Sequence, residues 1–362
     1  MSTAISFARG APCPEALSGD LIANCTAAAL AADAVRVLSY GTGQGYPPLR
    51  EVLAQEHGVS PDQVFVTNGS LQGYVFMLET LLSPGDLVAV EAPTYDRALL
   101  QLRLHGMEVL PLPVQPDGLD VDVLAAACAA GRVPKLLYTI PNFQNPSGAT
   151  LSAAKRTALL ELVDRYDFWL LEDDPYGKLR FEGEPITGLF AAHDDGKVMF
   201  TSSFSKTVAP GLRVGYIVAP KDVSATLAAA ASRTYISPSL LAEAAIAQLV
   251  TGGHLPGNIA HVTKLMRERR DAMADGMVHM PQGTVSTPPQ GGFFMWLELP
   301  EGLSADALFA TAGAAGVAYV KGSDCVLAGG ERTLRLAYSG VSPAEIAEGM
   351  ERLGAVFRAA QQ

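Results

Sequence analysis

Short apolar runs bounded by Gly, Pro or Asp alternate with longer stretches of helical spacing through the first two-thirds of the chain. The runs are VFVT from Val64, LVAVE from Leu87, MEVLPL from Met107, KLLYTI from Lys135, FWLLE from Phe168, KVMFT from Lys197 and VGYIVA from Val214. Helical stretches such as SLQGYVFMLETLL and AAKRTALLELVDRY separate most of them. This alternation predicts an α/β fold with a mostly parallel seven-stranded sheet covered on both faces. The last two runs are joined by a loop of about a dozen residues without a helix, too short for a parallel crossover, so one strand is expected to run antiparallel. After Ala219 the pattern changes to a long helical region from Pro220 to Met280, broken near Gly252. A strand in GGFFMWLELP, a helix, strand pairs ending in TLRLAYSG and a final helix follow, which predicts a second, smaller α+β domain.

Of the 362 residues, 49% are apolar and only 17% charged, enough to bury a sizeable core. The net charge of −11 argues against a nucleic-acid partner, because a phosphate backbone demands clustered cations. The four cysteines (Cys13, Cys25, Cys128 and Cys325) form no C-x-x-C, which points to reduced thiols and a cytoplasmic protein rather than disulfides or zinc. No H-E-x-x-H occurs among the six histidines, and no metal site is expected. MSTAISFARG does not read as a signal peptide, and no uncharged apolar stretch approaches membrane-helix length, so no membrane association is expected.

Ligands of open parallel sheets gather at the carboxyl ends of the strands. After VFVT comes Asn68-Gly69-Ser70, where exposed N–H groups and a hydroxyl open a helix, either a phosphate seat or a plain N-cap. After LVAVE comes Tyr95, able to stack on a flat ring or simply to fill surface. After KLLYTI comes PNFQNPSG, whose Asn145 is an amide donor or an Asx-turn. After FWLLE comes Asp173-Asp174-Pro175-Tyr176, and two acids ending a buried strand are costly unless paired. Asp174 is assigned to helix capping and Asp173 to a protonated ring nitrogen. After KVMFT comes SSFSKTVAPGLR, a loop with hydroxyls, Lys206 and Arg213 that suits an anion and a Schiff base. A phosphate cradle, a ring stacker, an acid for a ring nitrogen and an amine for a carbonyl together match pyridoxal 5′-phosphate (PLP).

The ordered motifs SFARGAPCPE, YGTGQGYPPLR, VTNGSLQG, EAPTYDRAL, PNFQNPSG, LLEDDPYGKLRF, SSFSKTVAPGLRVGY, GGFFMWLELP and LRLAYSG span nearly the whole chain. In them the sequence resembles a fold-type I, class I/II aminotransferase, closest to the 2-aminoadipate and kynurenine aminotransferase branch. The resemblance implies the PLP-dependent transferase fold. Its implied divisions are an N-terminal segment (1–35) joining the small domain, a large PLP-binding domain (36–250) and a C-terminal small domain (251–362). It implies that Lys206 forms the internal aldimine and then acts as general base, and that Asp173 holds the protonated pyridine nitrogen. Tyr176 and Asn145 are implied at the ring oxygen and Tyr95 on the ring face. Ser70, Ser203, Ser205, Arg213 and the backbone at Leu71 are implied at the phosphate. Tyr40 matches a tyrosine that reaches the phosphate of a neighbouring subunit, which implies a homodimer with shared sites. Arg335 is implied as the bidentate clamp on the substrate α-carboxylate, shared with Asn145 and the backbone at Gly10. GTGQG does not follow a strand, so no dinucleotide loop is expected.

The expected reaction moves the amino group of an L-α-amino acid to a 2-oxo acid, with 2-oxoglutarate as the expected acceptor. The alternatives are another PLP reaction on the same fold (C–S lyase, cyclase or oxidase) and, remotely, the effector-binding domain of a transcription regulator. The chain begins almost at SFARG, where many relatives carry a preceding helix, and reads ARG where Gly-Gly is usual. Arg9 either enters the pocket and favours an anionic side chain or faces solvent or an acidic neighbour. Lys321 stands where relatives often have proline and is expected to reshape the pocket mouth.

Overall fold

The computed structural model describes residues 4–193 and 196–361. The large sheet has the order Val64–Thr67, Gly215–Val218, Val198–Ser203, Trp169–Asp173, Leu136–Thr139, Leu87–Ala92, Glu108–Gln115 and Gly118–Leu119. All seven apolar runs are strands, and the two-residue Gly118–Leu119 edge makes the sheet eight-stranded rather than seven. Gly215–Val218 runs antiparallel to both neighbours, as its short connection requires. The inner strands Leu136–Thr139 and Gly215–Val218 are buried end to end, and Trp169–Asp173 is buried past its first residue, which is why they read as continuous apolar runs.

The helical region after Ala219 has two breaks, not one, and forms Lys221–Tyr235, Leu240–Thr251 and Leu255–Asp275. The additional break falls at Ile236, whose φ of 71° is left-handed, ahead of Ser237-Pro238. Proline has no N–H to donate and disfavours helical backbone just before it. A three-stranded antiparallel sheet of Phe294–Glu298, Thr333–Ala337 and Val320–Lys321 lies in the C-terminal part, with the helices Ala305–Ala314 and Pro343–Gln361. The N-terminal strand Ile5–Ser6 pairs in parallel with Val317–Ala318, so the chain start is tied to its C-terminal third.

The stretch Pro14–Leu38, which carries Glu15, Asp20, Asp33 and Arg36, is apolar in spite of them. Its best window has a mean hydropathy of 1.5, long and apolar enough to cross a membrane by length and composition alone. Its helix Gly19–Leu38, kinked at Asp33, packs on Leu240–Thr251 and buries Cys25, Ala29 and Val37.

Candidate active site

The strand ends converge, with the N-terminal segment and the small sheet, on a cleft of about 490 Å³. Its lining includes Arg9, Gly10, Ser70, Leu71, Tyr95, Asn145, Asp173, Tyr176, Ser203, Ser205, Lys206, Arg213 and Arg335. Tyr40 is the expected site residue that does not line it; its side chain is 84% exposed.

The phosphate side is built where the helix Ser70–Leu81 begins. Gly69, not Ser70, is the N-cap, so the Ser70 hydroxyl is not used as a cap. The first N–H groups of a helix lack intrahelical partners and carry the positive end of its dipole. Gly69 has a φ of 92°, and a Cβ there would stand 2.2 Å from Arg213 Nη2. The guanidinium therefore uses the space that a side chain would fill, and Arg213 Nη2 donates to Asn68 O at 3.0 Å. Across from it Ser203 Oγ donates to Ser205 Oγ at 2.8 Å, and Arg213 Nη1 lies 3.5 Å from Ser205 Oγ. These hydroxyls and the guanidinium form a cradle for an anion.

Asp173 ends its strand buried, and Tyr138 donates to its Oδ2 at 2.6 Å. Its Oδ1 is buried with no hydrogen-bond partner among the described residues. Burial pushes the carboxyl up to about 7, with Asp174 pushing the same way and the Tyr138 bond and Lys206 opposing. A protonated ring nitrogen satisfies such an oxygen and repays the desolvation. Asp174 is turned to its own loop and accepts from Gly177 N at 2.7 Å and Asn142 Nδ2 at 2.9 Å. A turn, not a helix, follows it, so the expected helix cap is a turn cap.

Lys206 Nζ donates to Gly10 O at 2.6 Å and lies 5.9 Å from the centre of the Tyr176 ring. Burial, then the cations Arg335 and Arg213, lower its amine to about 8, against the pull of Asp173. Arg335 comes from the small sheet and is buried, with Nη1 donating to Asn145 Oδ1 at 2.9 Å and Nη2 to Ala8 O at 2.7 Å. Its Nε is buried without a partner among the described residues, and its guanidinium sits 4.3 Å above the Phe294 ring centre. Asn145 is thus a partner of Arg335 rather than an Asx-turn. The Gly10 carbonyl accepts from Lys206, and the group Gly10 can offer a carboxylate is its N–H. Tyr95 is half-buried at the start of the helix Asp96–Leu104, and burial raises its phenol to about 12.

Arg9 lines the cleft, is exposed, and makes no ion pair among the described residues. Lys321 is turned from the cleft toward Asp306 and Asp324, 3.9 and 3.6 Å away, and does not shape the mouth as expected; Val320 lines it instead. Tyr138 and Glu91 were missed because both lie inside apolar runs and read as strand core. Among the described residues, no group of three or more His, Cys, Asp or Glu could hold a metal ion.

Residues 2–353 match the family Aminotransferase class I and II. The chain is 35% identical to aromatic-amino-acid aminotransferase 1 of Thermococcus litoralis, over 99% of this chain and 88% of that protein. The crystal structure of Pyrococcus horikoshii kynurenine aminotransferase with PMP and kynurenine is 33% identical and superposes with a TM-score of 0.95, over 100% of this chain and 92% of that one. The Thermus thermophilus α-aminoadipate aminotransferase carrying N-(5′-phosphopyridoxyl)-L-leucine is 34% identical with a TM-score of 0.93, over 99% and 93%. The chain belongs to the class I/II aminotransferases, on the fold-type I architecture. It is an aminotransferase, and its cofactor is PLP, which the orphaned Asp173 oxygen and the Gly69–Arg213 cradle fit.

Proposed function

We propose that this enzyme moves the amino group of an L-α-amino acid to 2-oxoglutarate through Lys206. The observation that carries this reading is one cleft holding a lysine lowered to about 8, an unpartnered buried carboxylate oxygen and a buried arginine with an unpartnered Nε. When bound, PLP supplies the sink for the electron pair left on the substrate Cα. Ser70, Ser203, Ser205, Arg213 and the N–H of Leu71 hold its phosphate, Asp173 its ring nitrogen, Tyr176 and Asn145 its ring oxygen, and Tyr95 its ring face. Lys206 would hold the cofactor's carbonyl carbon, and its Nζ is the general base for the proton on the substrate Cα. Arg335 and Asn145 orient the α-carboxylate so that this proton faces the amine. The test is transfer of ¹⁵N from glutamate, 2-aminoadipate, kynurenine and aromatic donors to 2-oxoglutarate. Labelled glutamate from the non-glutamate donors supports the reading; free ammonia without transfer sinks it in favour of a lyase or oxidase.

Arg9 is assigned to the substrate side chain. An unpaired guanidinium at the cleft wall favours an anionic side chain, because a carboxylate gains two charge-assisted hydrogen bonds there. Arg9→Gly is expected to cut the preference for glutamate over leucine about tenfold, the worth of one such interaction at ~1.4 kcal/mol. An unchanged ratio disposes of the assignment.

A homodimer with shared sites completes the reading. Tyr40 follows the Gly19–Leu38 helix, whose Val35 and Leu38 are 80% and 69% exposed, and a second copy is the occupant proposed for this surface. A row of exposed apolar residues beside an exposed tyrosine suits a buried interface. The four cysteines are free and buried, which supports a cytoplasmic location.

A further inference from the structure

Glu91 is the penultimate residue of the Leu87–Ala92 strand, is buried, and does not line the cleft. Its carboxylate accepts from Thr139 Oγ1 at 2.7 Å, from Ile140 N at 3.2 and 3.3 Å, and from Gln144 Nε2 at 2.9 Å. The same Gln144 amide donates to Pro93 O at 2.8 Å, while its Oε1 accepts from Ser147 N and Oγ at 2.8 and 2.6 Å. One carboxylate and one amide therefore lock the loop that carries Tyr95 to the loop that carries Asn145. Asn145 in turn accepts from Arg335.

We propose that Glu91, acting through Gln144, is a positioning residue for substrate-carboxylate binding: it sets Asn145, and through it the Arg335 guanidinium. The proposal rests on the reading of Arg335 as the carboxylate clamp. Ile140 N and Gln144 Nε2 present obligatory donors to one oxygen and the Thr139 hydroxyl donates to the other, a set that the ionised carboxylate accepts in full. Among the described residues Glu91 makes no ion pair. Burial pushes it up to about 7, the three hydrogen bonds pull it down, and Asp173 adds to the rise. A buried charge without a cation is a costly way to fill space, and an apolar side chain would leave Ile140 N and Gln144 Nε2 without this acceptor. What the charge secures is a loop geometry that neither strand end imposes by itself.

The test uses PLP-loaded protein. Glu91→Gln keeps one oxygen for Ile140 N and Gln144 Nε2 and turns its amide nitrogen to the Thr139 hydroxyl, so it removes the charge that strengthens these bonds. In the double variant Glu91→Gln/Gln144→Glu the amide donates to the new carboxylate, which still accepts from Ser147; the bond to Pro93 O is lost, and Ile140 N keeps one of its two acceptors. The expected result for E91Q is about a tenfold rise in KM for the amino donor, with kcat changed less than about threefold. The calorimetric Kd for glutarate or 3-phenylpropanoate, acids with no amine to react, rises in step. The cofactor absorbance band stays unchanged, and the double variant recovers most of the loss. If E91Q does not fold, Gln144→Met, which leaves the Thr139 and Ile140 bonds in place, carries the same expectation. The proposal is overturned if KM and Kd are unchanged, or if melting temperature and kcat fall while the Kd for the acids holds. Loss of cofactor, or a double variant no better than E91Q, overturns it as well. A wild type that binds the acids but transfers no amino group defeats the proposed function and leaves this inference standing. Acid binding that is indifferent to Arg335→Lys defeats both the clamp and this inference.

Discussion

Lys206 sits where burial and two arginines disfavour its charged form, and its amine is lowered to about 8 from an ordinary 10.5. Only the neutral amine attacks an aldehyde, so PLP uptake by cofactor-free protein should rise with pH and level off just above pH 8. Stopped-flow absorbance checks this; a rate still climbing steeply at pH 10 refutes the lowered value. Asp173 presents the opposite case, an acid raised to about 7 by burial. An acid raised above its unfolded value weakens the cofactor-free fold as pH climbs from about 4 to about 7, and the full penalty remains above that. Asp173→Asn removes the penalty while its amide oxygen still accepts from Tyr138. At pH 8 the cofactor-free variant should melt no lower than wild type, yet kcat should fall on the order of 10²–10³-fold. Asp173, Asn145 and Lys206 were legible as polar residues just past apolar runs. Glu91 and Tyr138 were not, because the direction a strand side chain faces depends on neighbours far away in sequence.

Gly69 joins a strand to a helix, and the turn works only without a side chain. Gly69→Ala forces a Cβ into a φ of 92° and within 2.2 Å of the Arg213 guanidinium. The expected cost is about 1–3 kcal/mol in equilibrium unfolding. PLP affinity should weaken about tenfold or more, because Arg213 must leave the cradle. An unfolding midpoint and a PLP titration both equal to wild type would show that the turn does not hold the phosphate. At this scale the seven long strands and the flanking helices were legible, since burial on both faces writes an apolar run into each strand. The Gly118–Leu119 edge was not, because two residues carry no period and exist as a strand only by pairing with Val114–Gln115. The break at Ile236 was masked by apolar spacing on either side, although Ser237-Pro238 marked it.

The chain as a whole leaves Tyr40 and the outer face of the Gly19–Leu38 helix uncovered. Light scattering should give about twice the 38.0 kDa chain mass, the ratio of a twofold assembly. Tyr40→Phe should leave that mass unchanged and weaken PLP binding about fivefold, the worth of a hydrogen bond of ~1 kcal/mol. A monomeric mass, or PLP affinity indifferent to the change, counts against shared sites.

Local patterning determined the sheet, the flanking helices and the residues at the strand ends, because helix and strand periods are properties of neighbouring residues. It also exposed the inventory of groups that suits PLP. Tertiary packing alone decided that Lys206 meets Gly10 across 196 positions and that Arg335 meets Asn145 across 190. Packing also decided that Asp173 keeps one oxygen free and that Glu91 meets Gln144, the neighbour of Asn145, across 53 positions. Those outcomes depend on which groups are stripped of water together, and desolvation is set by the closed fold rather than by any stretch of the chain.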